Sequence, residues 1–419
     1  MPQWARNQVI YELNIRQFSD AGTFAAVEAD LGRLSDLGIN TIWLMPVQPY
    51  GEVNRKGELG SYYSIRDYTG INPEYGSVED FRSLVNAAHK RGMHVILDWV
   101  ANHTSWDNPL TVEHPEYYAK DGAGNFTPPT GTDWTDVIQL DFSQPGLLDY
   151  QVNAMKYWLD EFGIDGFRCD VAWGVPTPFW NELSAALRAH KPNLFMLAES
   201  EMGDQQLKAF NASYGWGLLH TFEEIAQGRE QAISIDAALA RRQLNFPAGA
   251  TFLNMTSNHD ENSWNGTVFE RFGGGARTFA VLSMTMDGMP LLYNGQEVGL
   301  DKRLLFFVRD PIQWHESPFT DFYKTLIALK SRSPALLTGA PTEKVPNTEE
   351  GAIYSFIRGK AGEAEVLVIA NLTAKDVTVE LGSSRMAGSW TDVFSGEAKE
   401  LSESEKMTLK SWDFKLMSR

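Results

Sequence analysis

His94-Val95-Ile96-Leu97-Asp98 and Asp165-Gly166-Phe167-Arg168-Cys169-Asp170 are short runs that each end on a carboxylate. The first is continuously apolar from Val95 to Leu97, the pattern of a parallel strand covered on both faces. The construction recurs. Phe195-Met196-Leu197-Ala198 leads to Glu199, and Thr251-Phe252-Leu253-Asn254-Met255 leads into Ser257-Asn258-His259-Asp260. Isolated charges avoid apolar surroundings. Repeated acids at the ends of buried strands therefore point to carboxylates converging at the mouth of a barrel.

Outward from these runs, strand-like and helical patterns alternate. Val9–Ile15, Thr41–Leu44, His94–Asp98, Asp165–Asp170, Leu194–Glu199, a run near Gly215–His220, Thr251–Met255 and Pro290–Asn294 read as strands. Phe24–Leu37, Val78–Arg91, Gly146–Phe162, Pro178–Ala189, Ile233–Asn245, Ala276–Thr285 and Pro318–Ser331 read as helices, with a short one in 204–211. About eight β–α units fit the count and order of an α/β, (β/α)₈ TIM barrel. Residues 103–141 break the alternation with Pro, Gly, Asn, Asp and Thr, and a loop this long is usually functional. After Ser333 the pattern becomes Ile353–Ile357, Glu365–Ala370, Val377–Leu381, Trp390–Asp392 and Thr408–Leu416, a C-terminal antiparallel β-sandwich. The expected domains are a barrel over 1–102 and 142–332, an irregular insertion after strand three over 103–141, and a β-domain over 333–419.

The chain carries 36 basic and 54 acidic residues, a net charge of −18. That balance argues against nucleic acid, whose phosphates are neutralised by Lys and Arg, and against an anionic membrane surface. A neutral substrate is indifferent to it. Cys169 is the only cysteine, so no intrachain disulfide forms. No signal-peptide pattern opens the sequence, so a cytoplasmic location is expected, with a mature secreted or periplasmic chain carrying an added Met as the open alternative.

Arg168 and Asp170 are two apart on one strand and share a face. A guanidinium there lowers the carboxylate pKa and holds Asp170 ionised, as a nucleophile requires; a structural pair is the alternative. Glu199, after a nearly apolar strand, suits a group that carries a proton, or else caps the next helix. His259 with Asp260 could hold two hydroxyls, and Asp98, Asn102 and His103 form a similar cluster after strand three. Four loops presenting polar groups to one mouth are hard to explain by stability alone. Closely spaced carboxylates are the groups that cleave glycosidic bonds.

In this order the clusters resemble the α-amylase family of glycoside hydrolases over essentially the whole chain. The family's Asp-x-Val-x-Asn-His region is similar to Asp98–His103, its Gly-Phe-Arg-x-Asp to Gly166–Asp170, its third region to the segment centred on Glu199, and its Asn-His-Asp to Asn258–Asp260. Gly38–Pro46, Tyr63–Tyr68 and Gly288–Glu297 match supporting stretches. The resemblance implies Asp170 as nucleophile, Glu199 as acid/base and Asp260 as the residue that binds sugar hydroxyls and distorts the ring. It implies His103 and His259 as sugar ligands, Arg168 orienting Asp170, Asp98 bracing Arg168, and Tyr63 stacking under the sugar. The implied activity is retaining hydrolysis of α-1,4-glucan or maltooligosaccharide, with the two catalytic carboxyls about 5–5.5 Å apart. The rival activities are transglycosylation or isomerisation, as in glucanotransferases and trehalose synthases; a non-catalytic relative is the third reading, opposed by retention of both carboxylates.

Two departures matter. Trp173 and Gly174 stand where many α-amylases have a Lys-His pair, so Trp173 either stacks on sugar or packs. Gln139 replaces an Asp that often binds calcium. Calcium favours several anionic oxygens, so no cofactor is expected to be required, with a structural calcium that has Asn102 as a ligand as the open alternative. Trp106, Trp134, Tyr117 and Tyr118 in the insertion are sugar platforms or core. Many relatives carry an N-terminal β-domain that helps form a dimer; this chain starts at the barrel, and a monomer is expected.

Overall fold

Parallel strands covered on both faces need apolar side chains on both, and the strands of this chain meet that demand. The computed structural model describes residues 1–419. Its first ten strands are β1 (Ile10–Leu13), β2 (Thr41–Leu44), β3 (His94–Val100), β4 (His103–Ser105), β5 (Val137–Gln139), β6 (Gly166–Asp170), β7 (Phe195–Ala198), β8 (Ala212–Tyr214), β9 (Phe252–Asn254) and β10 (Met289–Tyr293). All except β4 and β5 form a closed barrel in the order β1-β10-β9-β8-β7-β6-β3-β2. The (β/α)₈ expectation holds, with one correction. The strand expected near Gly215–His220 lies earlier, at Ala212–Tyr214, and Trp216–Ala226 is a helix burying Leu218, Leu219, Phe222 and Ile225. That spacing is helical, whereas a short apolar window alone fits either state.

Contacts divide the chain into two compact units whose limits differ from the expected domains. The first holds Met1–Gln3, Tyr11–Tyr214 and Leu304–Trp314; the second holds Trp4–Ile10, Gly215–Arg303 and His315–Arg419. In the first, Thr23 caps the helix Phe24–Leu37, and Gly38, at φ 95°, ends it with its N–H returned to the Leu34 and Ser35 carbonyls. Ser77 and Asp80 form a capping box at Val78–Lys90. Residues 304–314 join this unit because the Gln17 amide donates to Leu305 O (2.6 Å) and Val308 O (3.0 Å), and Arg16 Nη1 donates to Gly60 O (2.8 Å) and Phe306 O (3.1 Å). The insertion is less irregular than expected. β4 and β5 pair antiparallel, with a short helix at Leu110–Glu113.

In the second unit the C-terminal strands are β11 (Thr342–Lys344), β12 (Ile353–Arg358), β13 (Val366–Asn371), β14 (Val377–Gly382), β15 (Gly388–Asp392), β16 (Ala398–Leu401), β17 (Ser404–Leu409) and β18 (Phe414–Ser418). Six form one sheet, β11-β12-β13-β18-β15-β16, and β14 pairs with β17. Ile357, Leu367, Ile369, Val379 and Trp390 lie in their shared core. The run expected over Thr408–Leu416 is two strands, separated by a turn in which Trp412 has φ 56°. The indole of Trp412 lies against Gly274, where a Cβ would stand 2.8 Å from Trp412 Cδ1, so this contact requires glycine. No helix is long and apolar enough to cross a membrane.

Arg358, fully buried on β12, ties the C-terminal strands to the rest of the second unit. It donates to Thr285 O (3.1 Å), Leu337 O (3.1 Å) and Ala340 O (3.3 Å) and pairs with Asp287 (3.1 Å). Arg358→Ala strands several buried acceptors, and urea unfolding should report a loss of about 3 kcal/mol; a loss under about 0.5 kcal/mol would show that this link contributes little.

Candidate active site

The centre of the first unit is a single guanidinium shared by carboxylates from three adjacent strands. β3 and β6 pair in parallel register with Asp98 opposite Arg168 and Val100 opposite Asp170. Alternation along β6 puts Arg168 and Asp170 on one face. Arg168 Nη1 lies 2.9 Å from Asp98 Oδ1 and 2.8 Å from Asp170 Oδ1, and Nη2 lies 3.0 Å from Glu199 Oε2. Glu199 directly follows β7 and stays in line with β6, because its N–H donates to Cys169 O (3.0 Å). The Trp43 indole (3.1 Å) and Tyr63 hydroxyl (3.0 Å) both donate to Asp98 Oδ2, and Arg168 Nε donates to the Tyr214 hydroxyl (3.1 Å). The Trp43, Tyr63 and Tyr214 rings surround the guanidinium carbon at 4.9, 5.7 and 5.4 Å, within cation–π range.

This geometry corrects the expectation for Asp170. Arg168 is not its dedicated partner. Burial and then the Glu199 carboxylate push the Asp170 carboxyl well above the usual carboxylate range, and Arg168 draws it back only part of the way. For Arg168 itself, burial opposes the charge, but Asp98 and Glu199 outweigh it and hold the group protonated. Three carboxylates facing one cation in a buried site favour retaining a proton among them.

His103 is buried on β4, its ring 5.7 Å from that of Trp134. Burial lowers its pKa to about 4, so it is neutral near pH 7. Trp173 lies in a short 3₁₀ turn (Ala172–Gly174) and is 54% exposed, so it is not core. Tyr117 and Tyr118 are core, whereas Trp106 and Trp134 are partly exposed. Asn102 is poorly suited to a cation. Gln139 Nε2 donates to Asn102 O (2.9 Å), Asn102 Oδ1 (3.1 Å) and Leu140 O (3.1 Å), placing an N–H group against the oxygens that calcium would need.

The remaining predicted residues belong to the second unit. Asp260 follows β9, its side chain 38% exposed and its Oδ2 3.3 Å from Nε2 of the buried His259. The turn is braced from behind. Asn258 Oδ1 accepts the Glu261 N–H (2.7 Å), and Glu261 pairs with Arg271 (3.1 Å), which also donates to Gly266 O (3.1 Å). Glu261–Asn265 form one π-helical turn, a feature frequent at functional sites, and it presents Trp264 at 53% exposure. Trp43, Tyr214 and Trp264 carry no distinguishing sequence signal, since they look like core aromatics in a chain with 13 Trp and 14 Tyr. Nor does Val171, whose backbone N–H donates to Glu199 Oε2 (2.7 Å). A β-branched residue gives no sequence signal for the left-handed conformation found there.

Residues 12–335 match the family described as alpha amylase, catalytic domain, and residues 346–414 match alpha amylase, C-terminal all-beta domain. An α-amylase from Lactobacillus plantarum is 34% identical, with a TM-score of 0.88 and 99% of both chains covered. The maltogenic α-amylase AmyB from Thermotoga neapolitana is 28% identical, with a TM-score of 0.89 and 99% of both chains covered. Alpha-amylase MalA from Haloarcula japonica is 28% identical over 94% of this chain, which spans 59% of that relative's length. Neopullulanase 2 from Thermoactinomyces vulgaris is 27% identical over 98% of this chain and 77% of its own. With the family's catalytic and C-terminal descriptions matching in succession, this chain belongs to the α-amylase family.

Proposed function

We propose that this chain is a retaining α-glucan hydrolase that cleaves α-1,4 bonds in starch or maltooligosaccharides. The observation that carries the reading is the contact of one buried guanidinium with Asp98, Asp170 and Glu199. Glu199 donates its proton to the glycosidic oxygen as a carboxylate oxygen of Asp170 attacks the anomeric carbon and the bond to the leaving sugar breaks. Water then attacks the same carbon, Glu199 takes its proton, and the Asp170 ester is released. Asp98 and Arg168 keep the two reacting carboxyls in place. Tyr63, His103, His259 and Asp260 are the sugar ligands in this reading, and Trp173 offers an exposed face for stacking. The relatives' names, α-amylase and maltogenic α-amylase among them, support this substrate class.

The test is the product profile on maltoheptaose, with the anomer of the first product read by NMR. Shorter oligosaccharides released as the α-anomer are expected. First-formed β-anomer overturns the retaining assignment, and products longer than the substrate favour transfer over hydrolysis. Asp170→Asn should lower turnover by at least about 10⁴-fold with the circular-dichroism melt preserved; activity close to wild type would exclude Asp170 as nucleophile.

We infer also that no structural calcium is needed at Asn102, because the Gln139 amide already supplies donors to its oxygens. Chelator should leave the Tm within about 2 °C, whereas Gln139→Asp should make it rise with added calcium. A fall of about 10 °C on chelation of the wild-type protein would contradict this.

A further inference from the structure

Trp264 is 53% exposed, although a large apolar ring left in water forgoes much of the stabilisation its burial would give. Scattered apolar side chains are ordinary on a protein surface. What sets Trp264 apart is the segment that carries it. The Asn262 N–H donates to Asn258 O (3.0 Å), the α-helical spacing, and the Gly266 N–H donates to Glu261 O (2.9 Å), the wider π spacing. Residues four apart lie on one side of a turn wound in either way. Trp264 therefore stands one turn beyond Asp260 and on its side of the helix. Burial agrees. Asn258, His259, Glu261 and Asn262 are buried, whereas the Asp260 side chain is 38% exposed.

The segment is also fixed at both ends by one buried guanidinium. Arg271 donates to the carbonyls of Thr256, before the turn, and Gly266, after it. It pairs with Glu261 inside the turn and with Glu223 on the helix Trp216–Ala226. Asn265 Nδ2 donates to Glu261 Oε2 (3.0 Å) and Asn262 Nδ2 to Lys302 O (3.1 Å). An aromatic ring on so constrained a backbone is preorganised, and covering it with a ligand costs little further ordering.

We propose that Trp264 is a stacking platform for the glucosyl unit next to the one whose hydroxyls Asp260 holds, and that it sets the affinity for longer α-glucan chains. The C–H groups on one face of a glucosyl ring form an apolar patch on a neutral molecule. A rigid, uncharged indole matches that patch and leaves the hydroxyls at the ring edge in water. Polar recognition by Asp260 and apolar recognition by Trp264 then follow one another along a single turn. The stacked unit lies away from the bond being broken, so its contact is equal in the ground and transition states and acts on KM rather than kcat. This inference rests on the α-glucan reading of the site.

The experiment reads both the contact and its effect on binding. Trp264→Ala should raise KM on maltoheptaose about tenfold, with kcat within about twofold. Trp264→Phe, which keeps an aromatic face, should stay within about threefold of the wild-type KM. Both variants should keep the wild-type circular-dichroism melt, because the ring is not core. In Asp170→Asn labelled with 5-fluorotryptophan, the ¹⁹F resonance of Trp264, assigned by its absence when Trp264→Phe is added, should shift on saturation with maltoheptaose. An unchanged KM in Trp264→Ala, or a loss confined to kcat, would overturn the proposal. So would a Trp264 resonance that stays still although the wild-type enzyme cleaves maltoheptaose. Failure of the wild-type enzyme to cleave maltoheptaose at all refutes the α-glucan reading itself, and is seen independently of either Trp264 variant.

Discussion

One buried guanidinium facing three carboxylates is the constraint on which the rest of this site depends. Arg168 can lie fully buried only because Asp98, Asp170 and Glu199 compensate its charge at 2.8–3.0 Å. The carboxylates can lie that close only because they share it. Their total charge exceeds that of the cation, and the surplus favours keeping a proton in the cluster. In the proposed reaction, a general acid next to an ionised nucleophile would put that condition to chemical use.

The fold supplies the geometry at little local cost. Parallel register sets Asp98 opposite Arg168, alternation sets Asp170 beside it, and the Cys169 carbonyl keeps Glu199 in line. Trp43, Tyr63 and Tyr214 fill the space around the guanidinium with rings and direct their polar tips at the charged atoms. The left-handed residue, Val171, directly follows β6 and donates its N–H to Glu199 Oε2.

The strand-end acids were legible in the sequence because an acid closing an apolar run has no stability reason to recur. The barrel followed from the alternation, and the α-amylase resemblance from motifs tied to particular residues. The electrostatics were less legible. The i, i+2 spacing shows Arg168 beside Asp170 but not the competing carboxylates that register brings from β3 and β7. Gln139 was visible as a departure, but its donation to three oxygens depends on loop geometry. At Gly215–His220 the sequence does not separate helix from strand, because Leu218 and Leu219 lie in too short a window to reveal a period.

Charge sharing around Arg168 is most directly measured by following the Asp170 carboxyl carbon with ¹³C NMR across pH, in the wild-type protein and in Glu199→Gln. The wild-type midpoint should lie well above the ordinary aspartate value of about 3.9. It should fall in Glu199→Gln, where the competing charge is gone and Arg168 acts on Asp170 with less opposition. A wild-type midpoint in the ordinary range, unmoved by the substitution, would contradict the sharing of one guanidinium among three carboxylates.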